Sequence, residues 1–122
     1  MAEIESILDS VKHALGIDPS DEAFDPELIM HINSVFSTLH QLGLGPDVGY
    51  AIDGTEAIWT GFLGTELLTL NMVKSYMFLR VKLLFDPPAN SFATTAIKEQ
   101  ITEFEWRIRT EREATWTPPL LP

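Results

Sequence analysis

The chain contains no cysteine, so it can form no disulfide, no thiolate zinc site and no cysteine nucleophile. Positive charge is nearly missing from its first half. Residues 1–66 hold twelve Asp and Glu against one cation, Lys12, a balance of −11, whereas residues 67–122 hold six acids against seven cations, a balance of +1. A surface this acidic repels duplex phosphate instead of releasing its counterions, which disfavours ordinary DNA or RNA binding. It suits either a mimic of nucleic acid or a wall past which nucleic acid must slide. Also missing are a glycine-rich phosphate loop and a nucleophile set in a recognisable turn. No catalytic residue, cofactor-binding residue or metal ligand is therefore assigned, and an enzyme is not expected. The start, Met1-Ala2-Glu3-Ile4-Glu5, lacks the basic residues and apolar run of a secretory signal, giving the expectation of a protein made and kept in a cytoplasm.

What is present is an ordinary globular composition, 45% hydrophobic and 21% charged over 122 residues, enough for one domain with one core. Its longest apolar run is Leu67 to Phe85, LLTLNMVKSYMFLRVKLLF, followed by Asp86-Pro87-Pro88. The prolines lack an N–H donor and clash with a preceding turn, so the run predicts a helix with a hard stop. At 1.5 Å per residue it is roughly 28 Å long, but Lys74, Arg80 and Lys82 argue against a membrane span, each costing on the order of 2.5–3.5 kcal/mol near a bilayer centre. Wound as a helix it shows two apolar stripes, one with Leu67, Leu70, Val73, Met77, Phe78, Val81, Leu84 and Phe85, the other with Leu68, Met72, Tyr76, Leu79 and Leu83. A helix apolar on two sides needs cover on two sides, either from the chain's other helices or, for part of the second stripe, from another subunit.

Around this helix the pattern predicts three more. Ile4, Ile7, Leu8, Val11, Ala14 and Leu15 form a helical stripe that Gly16 ends. The linker that follows carries Asp18, Asp21, Glu22 and Asp25, without the alternating ligands, turn glycine and terminal Glu of a calcium loop, and reads as solvated. Asp25-Pro26-Glu27 opens the second helix, with Asp25 as the expected N-cap and proline at the first helical position. Its apolar face is Leu28, Ile29, Ile32, Val35, Phe36, Leu39 and Leu42, and Gly43 ends it. His31 and His40 lack the i, i+4 spacing of a helical metal pair, His13 lies on another helix, and all three read as surface residues. Val48, Tyr50 and Ile52 alternate before Asp53-Gly54, predicting a small β-hairpin or extended insertion over about 48–58, with Trp59, Phe62 and Leu63 pinning it to the core. Asn90 or Ser91 caps a last helix with Ala93, Ile97, Ile101, Phe104 and Ile108 inward and two i, i+4 pairs, Glu103 with Arg107 and Glu105 with Arg109. Phe92 and Trp106 fall on its polar side, so Trp106 is either tucked under a loop or part of a partner surface. The fold class is all-α: a small bundle of four main helices, the central one included, a single domain over 1–109, and an extended or disordered tail over 110–122.

Several runs, in order, resemble the head-tail connector, or adaptor, proteins of the neck of tailed bacteriophages. They are Leu15-Gly16-Ile17, Phe24-Asp25, His31-Ile32-Asn33-Ser34-Val35-Phe36, Gln41-Leu42-Gly43-Leu44-Gly45-Pro46, Trp59, Val73-Lys74-Ser75-Tyr76, Leu83-Leu84-Phe85-Asp86-Pro87-Pro88 and Glu105-Trp106-Arg107. They span Ile4 to about Arg109, and residues from Thr110 carry no matching run. The resemblance implies a structural protein of the virion, made in the host bacterial cytoplasm and located at the head-tail junction. Its partners would be further copies of itself in a ring, commonly of about twelve subunits and monomeric in isolation in some cases, the portal protein, and a tail-side stopper or tail-completion protein. DNA would pass through the extended channel without specific binding, and no membrane would be involved. Candidate interface residues are Tyr50, Ile52, Ile58, Phe92, Trp106, Trp116, Leu120 and Leu121. The competing readings are an acidic DNA-mimic inhibitor, for which many carboxylates lie in linkers and helix starts and not along one face, and a small helical protein-interaction module.

Overall fold

The computed structural model describes residues 6–64 and 67–115, with residues 67, 68 and 111–115 described by backbone alone. The described residues form five α-helices and no strand: α1 Ile7–Leu15, α2 Asp25–Gln41, α3 Trp59–Leu63, α4 Leu67–Phe85 and α5 Ser91–Thr115. α4 is the predicted central helix, with the predicted bounds, and every other helix packs on it. Its two-sided apolarity is covered in large part within the chain: Leu70, Val73, Met77 and Val81 are buried on one stripe and Tyr76 on the other, while Leu79 and Leu83 are partly covered and Leu84 stays 48% exposed.

The helix ends follow local chemistry. Ser6 Oγ accepts from the amide of Asp9 at the start of α1, and Gly16 closes it in the left-handed conformation, φ 79°, where a side chain would be strained. Asn90 Oδ1 accepts from the amide of Ala93 and caps α5. α5 continues through Thr115, which corrects the boundary at 109 for residues 110–115. Glu111-Arg112-Glu113-Ala114 are good helix formers, and the first proline after them is Pro118. Trp116, Leu120 and Leu121 lie outside the described residues.

Two further expectations are corrected. Asp25 does not cap α2. Phe24 occupies that position without a side-chain hydrogen bond, and the Asp25 carboxylate instead meets Lys12 Nζ at 2.8 Å. Of the hairpin or extended insertion expected over 48–58, the hairpin does not form, and the insertion is irregular and carries no strand. The backbone of Ile52 finds its partner in a side chain, its amide donating to Asn33 Oδ1 at 2.7 Å and its carbonyl accepting from Asn33 Nδ2 at 2.9 Å. Asn33 thus stands where a second strand would be. The far end of the insertion is tied to α1, with the Ile7 amide donating to the Ala57 carbonyl at 3.0 Å and an isolated antiparallel bridge between Ser6 and Ile58. With its polar groups satisfied at both ends, the segment needs no ladder of its own.

Candidate interaction surface

Several runs singled out in the sequence are the points where the helices are fastened together. Trp59 Nε1 donates to Ser10 Oγ at 2.9 Å, joining α3 to α1, and Lys74 Nζ lies 6.0 Å from the centre of the Trp59 ring. Phe24 packs edge-on against Phe85, ring centres 5.3 Å apart, holding the start of α2 to the end of α4. Tyr76 Oη donates to Glu105 Oε2 at 2.7 Å, and Arg80 Nη1 is 3.3 Å from the same oxygen. This triad joins α4 to α5. Burial, and then the bond to Glu105, push the Tyr76 phenol far above the ordinary tyrosine value. Glu105 therefore faces α4 and leaves Arg109 without the predicted i, i+4 partner, whereas Glu103 and Arg107 do pair, at 2.6 Å.

The candidate interface residues divide. Ile52 is only 4% exposed and belongs to the core, so it offers no surface to a partner. Tyr50 and Ile58 are half-buried. Tyr50 lies against Phe36 and Phe62, ring centres 5.0 and 5.3 Å away, and this burial raises its phenol pKa. Phe92 and Trp106 are 88% and 63% exposed, and among the described residues no loop covers Trp106. They stand on one side of α5, about 21 Å apart along its axis, with the exposed Ala96, Glu99 and Glu103 between them.

A second surface was not foreseen. Asn33, Phe36, Ser37 and His40 of α2 and residues 48–51 line an open groove of about 410 Å³. Val48 stands at its edge almost wholly exposed, because His40 Nε2 meets the Asp47 carbonyl at 2.9 Å and the turn directs Val48 away from the core. The alternation of Val48, Tyr50 and Ile52 did mark a half-buried segment, but only the contact with α2 decides which end is buried. His31 is half-buried, its Nε2 3.6 Å from Glu27 Oε1 and without a hydrogen-bond partner. Among the described residues no group of three or more His, Asp or Glu stands close enough to hold a metal ion, and no helix is long and apolar enough to cross a membrane.

What these residues offer is accessible surface: exposed aromatics on an outer helix, and a groove in the acidic half. No curated protein and no solved structure matches the chain. A family model described as phage connector protein matches residues 7–115, which is the whole helical body from the start of α1 to the end of α5.

Proposed function

Since the chain belongs to the phage connector protein family, a family of structural components of the virion, we propose that it forms a ring beneath the portal of the phage head, extends the DNA channel, and presents the docking surface for the tail or its stopper. The observation that carries this reading is the extent of the family match, which leaves no part of the helical body unaccounted for. Two physical features support it. The acidic half suits a wall that DNA must pass without adhering, since like charge keeps phosphate off the surface. Phe92 and Trp106 supply rigid aromatic area of the kind that anchors protein interfaces, and Tyr50, Ile58, Trp116, Leu120 and Leu121 remain candidate contacts with neighbouring subunits, portal or stopper.

The test is electron microscopy of a lysate from the parent phage carrying a null allele of this gene. The expected result is heads without tails beside free tails, with infectivity restored by added protein. Normal infectious virions made without the protein would overturn the reading.

A further inference from the structure

Resting on the ring reading, we propose that neighbouring subunits are joined by Trp106 and Arg109 of one copy seated in the groove between α2 and residues 48–51 of the next. The occupant is a second copy of this chain, and charge identifies it. Between residues 102 and 110, Glu103 is paired with Arg107, and Glu105 with Tyr76 and Arg80. Arg109 is exposed and makes no ion pair among the described residues, so it stands as an unpaired cation one turn from Trp106. The groove has the opposite character. It lies in the half of the chain with a balance of −11, its edge turn holds the exposed Asp47 beside Val48, and the half-buried Tyr50, backed by the buried Phe36, gives it an aromatic wall. An indole with an arginine beside it, entering a groove with one accessible aromatic wall, Tyr50, and one carboxylate at its edge, Asp47, brings together residue types that anchor interfaces.

Within one chain the two surfaces lie on different elements, α5 having its main packing on α4 while the groove lies on α2. The contact between copies is therefore heterologous, patch to different patch, the type that closes into a ring when the rotation permits.

The absence of native cysteine makes the contact accessible to cross-linking at chosen positions. Ser37→Cys places a thiol in the groove and Thr110→Cys places one on α5 a single turn from Trp106. The double variant is treated with a short bis-maleimide, both in purified particles and as concentrated full-length protein. A ladder of dimers and higher multiples is expected in at least one of the two, with none from either single variant. Trp106→Ala in the same background should reduce the ladder at least tenfold without lowering the thermal midpoint. Arg109→Glu should reduce it, and Asp47→Lys added to Arg109→Glu should restore it. No ladder in either preparation, or one indifferent to Trp106→Ala, overturns the contact. The virion reading is judged separately, by whether the wild-type chain is found in purified particles at all.

Discussion

Lys12 Nζ lies 2.8 Å from Asp25 Oδ1 and 3.0 Å from the Pro19 carbonyl oxygen, with no part of the lysine side chain reaching solvent. The lone cation of the first 66 residues is thus internal, closing the linker between α1 and α2 over its own stem. A buried ammonium is tolerated only while its acceptors hold it.

Removing the acceptor should therefore cost more than removing the charge. Asp25→Ala leaves Lys12 enclosed and short of its counterion, and is expected to destabilise by about 3 kcal/mol, the lower end of the range for breaking a buried pair because Asp25 is partly exposed. Lys12→Met keeps the stem and leaves an aspartate that water can reach, so its cost should be clearly smaller. Urea unfolding of both variants measures the difference. Equal losses would mean that the stem's packing, not the pair, holds the linker.

Asn33→Ala removes both hydrogen bonds to Ile52. With each worth about 0.5–1.5 kcal/mol net, a loss of roughly 2 kcal/mol is expected, along with faster hydrogen exchange at the Ile52 amide. Unchanged exchange there would show that the insertion is held by its apolar contacts alone.

Gly45 and Gly16 have nearly the same left-handed φ, 86° and 79°, but different surroundings. A Cβ on Gly45 would run into the Phe62 ring, whereas one on Gly16 meets open space. Gly16→Ala should cost about 1 kcal/mol from backbone strain, and Gly45→Ala more, because the ring must also move. Thermal unfolding of the two variants side by side tests the order.

The raised Tyr76 pKa has a consequence for stability. A phenol whose pKa is higher folded than unfolded contributes stability that is fully present below the unfolded value, about 10, and is lost as pH rises above it toward the folded value. The thermal midpoint should fall as pH rises from 9 to about 11 in the wild type. In Tyr76→Phe the fall should be shallower, from a lower starting point. A parallel decline in both would place the alkaline sensitivity elsewhere.

The parts legible in the sequence are those decided within a few residues. Pro87 ends α4, Gly16 ends α1, and Asn90 starts α5, because a missing donor, a permitted left-handed φ or a short side chain acts on its own turn. The periodicity of α4 likewise required cover on two sides. The tertiary structure decided the polar partnerships. Asp25 chose Lys12 over its own helix end, Glu105 chose Tyr76 and Arg80 over Arg109, and Asn33 replaced a second strand, across separations of 13, 25 to 29, and 19 residues. Each of these side chains has a plausible neighbour in sequence, and only the packing of α4 against the other helices sets which acceptor is near when water is excluded.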